Sequence, residues 1–228
     1  MNPLNLAKDL FFPRICAACE NTLTPYENHI CVSCHIHLPK FTPDDITKEI
    51  LSKKFWGKIP VKNTYSFLQF TKNGPVQRIL HQLKYRNKTE LAVYLGKWFG
   101  NELKTNDFDK EIDLIIGVPL HPVKKKRRGY NQADCFAKGL SESLQVPYNE
   151  EALIRVSFTE TQTNKSRFKR FRNMEGVFEV EKPDLIKNKR IALVDDVLTT
   201  GATLEVAGLE LLKAGCQELS ILTIAAAL

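Results

Sequence analysis

Residues 191–203 read IALVDDVLTTGAT: four apolar residues, the adjacent acids Asp195 and Asp196, two more apolar residues, then Thr199, Thr200 and Thr203 around Gly201. The apolar run predicts a core strand, Arg190–Asp195, brought to an end on the two acids. Two explanations compete for the residues after it. The strand either leaves through an ordinary turn, or it delivers two carboxylates and a ring of hydroxyls and amides to a sugar phosphate. A turn accounts for Asp196 and Gly201, but not for three threonines and a paired acid in so short a space.

The residue types from Thr199 to Thr203, with Gly201 and Ala202 between, suit the second explanation. Backbone amides and hydroxyls just ahead of a helix N-terminus bind anions, and a glycine lets a phosphate approach closely. The acids would repel phosphate. They suit sugar hydroxyls, or a hydrated Mg²⁺ bridging to phosphate oxygens. A loop with both functions points to a ribose 5-phosphate. The Mg-binding strand of a nucleotide hydrolase is the rival assignment, but it requires a G-x4-G-K-[ST] loop that the chain lacks.

On either side of this stretch, strands and helices alternate. Strands are expected at Thr64–Phe70, Ile112–Val118, Leu153–Val156, Gly176–Val180 and Glu218–Ala225. Helices are expected at Val76–Tyr85, Leu91–Leu103, Gln132–Leu144 and Thr203–Ala214. This alternation predicts an α/β fold with an open, mostly parallel sheet and flanking helices. Ligands of such sheets bind at the carboxyl ends of the strands. Two ends stand out: Asp195-Asp196, and Val118-Pro119 leading into Lys124-Lys125-Lys126-Arg127-Arg128.

Those five cations and a second group, Lys165, Arg167, Lys169, Arg170 and Arg172, carry the excess charge. The net charge is +7, and without these ten residues 23 basic would face 26 acidic side chains. Basic character so concentrated points to an anionic ligand, against the plainer reading of two solvated faces. Residues 157–175 are long and polar for a connection in a compact domain, which suggests a functional lid. Lys84-Tyr85-Arg86 either line the same cleft or pack with their charges at the surface.

Near the start, Cys16-x2-Cys19 and Cys31-x2-Cys34 are separated by an eleven-residue gap. Paired knuckles of this kind hold a structural Zn²⁺ between four thiolates; two disulfides or a redox pair are the alternatives. His35 and His37 stand close enough to replace a thiolate. Cys135 and Cys216 read as small buried hydrophobes. No apolar run approaches the roughly 20 residues of a membrane span, and no export signal is evident, so a cytoplasmic protein is expected. The expected organisation is a zinc module over 1–40, a proline-punctuated linker over 41–62, and the α/β domain over 63–228.

Three of these segments resemble known families. VDDVLTTGAT resembles the phosphoribosyl-pyrophosphate (PRPP) loop of type I phosphoribosyltransferases. IDLIIGVPLHPVKKKRRGYNQA resembles the strand and pyrophosphate loop of the competence-associated ComF family, and RVSFTETQTNKSRFKRFRNMEGVFEV resembles its catalytic-loop region. The paired knuckles are similar to ComF proteins as well. The resemblance implies a type I phosphoribosyltransferase-like fold and a role in DNA uptake. It places PRPP at Asp195, Asp196, Thr199, Thr200, Gly201, Ala202 and Thr203. Pyrophosphate would lie near Leu120, His121, Lys124–Arg128 and Gly129, with a lid or nucleic-acid contact from Gln162, Arg167, Lys169, Arg170 and Arg172. Two activities are then open: Mg²⁺-assisted transfer from PRPP to an unidentified acceptor, with Asp195 and Asp196 as the catalytic acids, or a non-catalytic module that holds single-stranded DNA or a partner such as a competence helicase.

Overall fold

In a computed structural model of the chain, residues 13–86, 88–156 and 176–228 are described. Four strands form a parallel sheet: β1 (Asn63–Gln69), β2 (Leu114–Gly117), β5 (Arg190–Leu198) and β6 (Glu218–Ala226), in the order β1-β6-β5-β2. Two short strands, β3 (Leu153–Arg155) and β4 (Phe178–Val180), pair antiparallel beside it. The helices, in chain order, are α1 (Val32–His37), α2 (Asp45–Ser52), α3 (Pro75–Tyr85), α4 (Thr89–Lys104), α5 (Pro122–Arg128), α6 (Gln132–Leu144), α7 (Pro183–Ile186) and α8 (Ala202–Lys213).

Pleating explains why β5 is apolar without alternation. Ala192 and Val194 point into one core with α3, α4 and α6, while Ile191 and Leu193 point into the other with α2 and α8. The sheet is therefore covered on both faces. In the first layer α4 and α6 approach closely: a Cβ on Gly96 would meet the carbonyl oxygen of Phe136 at 2.2 Å, and one on Gly139 would meet that of Val93 at 2.1 Å. Only glycine fits at this crossing.

Two expectations change. The strand does not end on the acids: β5 runs on to Leu198, because Val197 and Leu198 still pair with Ala225 and Ala226 of β6. The segment 41–62, which its prolines make linker-like, contains α2, capped by Asp44 accepting from the Thr47 amide at 2.7 Å, and a 3-10 turn over Lys53–Phe55. Leu51 and Phe55 from this segment are fully buried, in the same core as β5 and α8. Among the described residues no helix is long and apolar enough to cross a membrane.

The entrances to β2 and β5 are locked by charge. Arg190 donates from one guanidinium nitrogen to Asp113 Oδ1 at 2.7 Å and from Nε to Oδ2 at 3.1 Å, and its backbone amide adds a bond at 2.9 Å. Arg190 thereby depresses the Asp113 carboxyl to about 2. A depressed carboxylate contributes its stability above its unfolded value near 4, and loses it as pH falls towards 2. Both side chains are nearly a third exposed, so screening reduces the contribution to about 1–2 kcal/mol. Denaturant titration of Asp113→Asn should show a deficit of that size at pH 7 that disappears near pH 2; an equal deficit at both pH values would refute the electrostatic origin.

Candidate functional site

The C-terminal ends of β2 and β5 open into a cleft of about 160 Å³ lined by Lys84, Leu120, Lys124, Arg128, Asn131, Arg155, Asp195, Asp196 and Thr203, among others. Residues from four separate parts of the chain thus meet. Asp195 and Asp196 arrive on β5. Gly201 follows at φ +81°, ahead of the first turn of α8. A Cβ there would be strained by that backbone and would come within 3.0 Å of the Phe55 ring, so the 41–62 segment forms the floor of the threonine loop. Thr199, Thr200 and Thr203 are exposed, and Ala202 donates its amide to Thr200 Oγ1 at 3.4 Å.

The acids are unequal. Burial, and then the Asp196 carboxylate beside it, raise the Asp195 carboxyl to about 7, while its Oδ1 accepts from the Asp196 amide at 2.7 Å. Asp196 is held instead by an ion pair: Lys84 Nζ lies 2.9 Å from its Oδ2. The ammonium shows that a cation is accommodated at this carboxylate. Two carboxylates are also the donor set a hydrated Mg²⁺ takes, so the residues fit that ion.

The basic segment is a helix, not a loop. Pro122 sits in its first turn, His121 caps it by accepting from the Val123 amide at 3.3 Å, and Gly129 ends it in the left-handed region. Helical geometry then divides the five cations. Lys124 and Arg128, four residues apart and on one face, line the cleft. Lys125 and Lys126 line a neighbouring cavity of about 400 Å³ with Asp134 and Glu150. Arg127 is exposed and lines neither. Arg128 donates to Gln132 Oε1 at 2.6 Å, and its Nε is buried with no partner among the described residues. Gln162, Arg167, Lys169, Arg170 and Arg172 lie outside the described residues.

Sequence reasoning overlooked Arg155 and Asn131. Arg155 ends β3 and sits over the Phe178 ring at 5.2 Å; its only signal was a charge closing a short apolar run. Asn131 donates to the Val118 carbonyl at 2.9 Å and accepts from the Ala133 amide at 3.3 Å, tying β2 to the start of α6. A helix-capping residue just after Gly129-Tyr130 was a visible signal for it.

The second site is the cysteine cluster. The sulfurs of Cys16, Cys19, Cys31 and Cys34 all lie within 4.8 Å of one another, and none is disulfide-bonded. Cys19 and Cys31 Sγ are 3.7 Å apart, close to the roughly 3.8 Å edge of a tetrahedron with Zn–S bonds of about 2.3 Å. The amides of Ala18 and Cys31 point at Cys16 Sγ at 3.5 and 3.3 Å, as they would at a thiolate. Burial raises the Cys16 thiol, but these amides and that of Cys19 outweigh it and bring the group to about 7. Four such donors fit a structural metal such as zinc. The histidines are engaged elsewhere: His35 stacks on Trp98 at 3.7 Å, and His37 Nδ1 contacts the Ser33 carbonyl at 2.8 Å. Cys216 is buried, and Cys135 only partly.

A parallel sheet covered on both faces, with an acidic pair and a threonine loop at its carboxyl edge, is the architecture of a type I phosphoribosyltransferase. Residues 98–228 match the phosphoribosyl transferase domain family, and the chain belongs to it. The relatives it resembles carry names tied to DNA utilization and to competence. It is 28% identical over 216 residues to the "DNA utilization protein YhgH" of Shigella flexneri, covering 91% of this chain and 88% of that one. It is 26% identical over 230 residues to "Competence protein F" of Haemophilus influenzae, covering 92% and 96% respectively. Among solved structures, the glutamine PRPP amidotransferase of B. subtilis overlaps 58% of this chain and 26% of its own, at 22% identity and a TM-score of 0.43.

Proposed function

We propose that the chain is a ComF-type, PRPP-binding phosphoribosyltransferase that acts in DNA uptake or processing, in the cytoplasm, with an acceptor still unidentified. The observation that carries this reading is the convergence of Asp195, Asp196 and Thr203 with Lys124 and Arg128 in one cleft. The amides and hydroxyls from Thr199 to Thr203 receive the 5-phosphate, and Asp195 and Asp196 receive ribose hydroxyls. Lys124 and Arg128, ahead of Gly129, receive the pyrophosphate, whose departure leaves charge that fixed cations stabilise. A Mg²⁺ held through water by Asp195 and Asp196 would neutralise part of the same charge. In the transfer, the acceptor's lone pair forms the bond to C1, the C1–oxygen bond breaks with its electrons leaving on pyrophosphate, and the acceptor's proton passes to solvent. Zn²⁺ at Cys16, Cys19, Cys31 and Cys34 is structural, since four protein ligands leave no position open. Calorimetric titration with PRPP and Mg²⁺ tests the reading; no binding at millimolar PRPP would end it.

One observation favours a second reading, a single-stranded DNA-binding module. Tyr85 is 59% exposed beside the cleft, with the His81 ring at 4.7 Å and the Arg128 guanidinium 6.0 Å over it. An exposed ring beside a guanidinium can stack a base. The relatives' names, "DNA utilization protein" and "Competence protein F", point the same way, and a competence helicase or another uptake protein is the corresponding partner. Affinity for an oligonucleotide should then fall with salt by a log–log slope of about −0.7 per phosphate neutralised, and Tyr85→Ala should weaken binding without changing that slope. Absence of salt-dependent binding at low ionic strength would assign the cations to pyrophosphate alone.

A further inference from the structure

The PRPP reading leaves Lys84 without a role, yet Lys84 makes the one direct ion pair to the acid pair among the described residues. It comes from α3, outside both basic segments, and its position is built rather than incidental. Arg78 Nε of the same helix donates to the Ala18 carbonyl at 2.5 Å, and Gln82 Nε2 donates to that of Ala17 at 3.4 Å, so the cysteine knuckle holds one side of α3. The Leu83 carbonyl accepts from the Tyr130 hydroxyl and from Gln132 Nε2, which ties the last turn to the start of α6. Lys84 comes directly after, with about a quarter of its side chain exposed, and reaches Asp196.

We propose that Lys84 is a tethered counter-cation that occupies Asp196 until the metal–pyrophosphate substrate displaces it, after which the released ammonium pairs with the pyrophosphate. This rests on the PRPP reading and adds the regulation of that site. The electrostatics require some such exchange. Two adjacent carboxylates in a half-buried cleft need a positive partner, and a divalent ion brought to Asp196 would face an ammonium already in place. Lysine is suited to the exchange, because its charge is a compact point on a flexible four-carbon stem. The consequence is order of binding: metal alone competes with Lys84 and binds weakly, whereas metal arriving with pyrophosphate supplies the anion that draws Lys84 away.

The test is Mn²⁺ binding, measured by electron paramagnetic resonance, to wild-type protein, Lys84→Met, Lys84→Arg and Lys124→Met, each with and without PRPP. Lys84→Met should bind Mn²⁺ alone at least about tenfold more tightly than wild type, and PRPP should enhance that affinity less. Lys84→Arg should stay close to wild type. Lys124→Met removes an equal charge from the same cleft without touching Asp196, and should shift Mn²⁺ alone by less than about threefold. Equal Mn²⁺ affinity in wild type and Lys84→Met would overturn the exchange, even if both bind PRPP. Equal gains in Lys84→Met and Lys124→Met would overturn it too, by reducing the effect to net charge. If Mn²⁺ tightens in Lys84→Met but wild type binds no PRPP, the substrate reading fails and only the competition for Asp196 stands. Thermal melting with and without Mn²⁺ serves as the folding control.

Discussion

Replacing Asp195 and Asp196 together by asparagine should abolish Mg²⁺-dependent PRPP binding, with a loss of two orders of magnitude or more in calorimetry. Each carboxylate that accepts from ribose hydroxyls makes a charge-assisted hydrogen bond worth about 1.5–3 kcal/mol, so losing two reaches that range. The sign makes the test sharp. An anion held by charge alone would bind more tightly once the negative charge of the acid pair leaves a cleft that keeps Lys84, Lys124, Arg128 and Arg155. Unchanged or tighter binding of PRPP would therefore refute the assignment. The fold should survive, because burial and the neighbouring carboxylate already disfavour the ionised form of Asp195. A carboxyl raised in the native state weakens folding as pH rises through that raised value, so the double variant should be no less stable than wild type at pH 8.

The purified protein should carry one equivalent of zinc, and Cys31→Ser should carry less than about a tenth of that while losing the fold of its N-terminal module. The module is small, and its buried residues Cys16, Ala17, Ala18, Leu23, Ile30 and Leu38 are secured by two knuckles and by contacts with α3 and α4. Structural zinc in such modules contributes its binding energy to folding directly. Elemental analysis and hydrogen exchange check the expectation. Exchange should rise in residues 13–40 and extend into α3, whose Arg78 and Gln82 bond to knuckle carbonyls. Full zinc occupancy in the variant, or a disulfide within the cluster, would remove zinc from the account.

The features legible from the amino-acid order alone are those whose signal is local. Continuous apolar runs separated by helical spacing specify a covered parallel sheet, because pleating sends alternate residues of a strand such as β5 into two different cores. The cysteine spacing specifies four converging sulfurs, since a two-residue gap between cysteines fits one tetrahedral edge. The segment Asp195–Thr203 carries its chemistry in adjacent residues, so it was legible as a unit.

Which charges face one another was settled by the packing of distant segments. A lysine at the edge of an amphipathic helix looks the same in sequence whether solvent or a carboxylate stands opposite, so the contact of Lys84 with Asp196 was not readable. The five cations at 124–128 are chemically alike, and the helix from Pro122 to Arg128 selected Lys124 and Arg128 by turning the others away. The run 41–62 reads as a linker because Pro43 and Pro60 punctuate it, but it acquires a place when Leu51 and Phe55 find a core supplied by distant strands. The same packing sets Phe55 under Gly201, and pairing with Ala225 and Ala226 carries β5 past the acids. Each of these outcomes depends on a partner remote in the chain, and a local pattern carries no record of it.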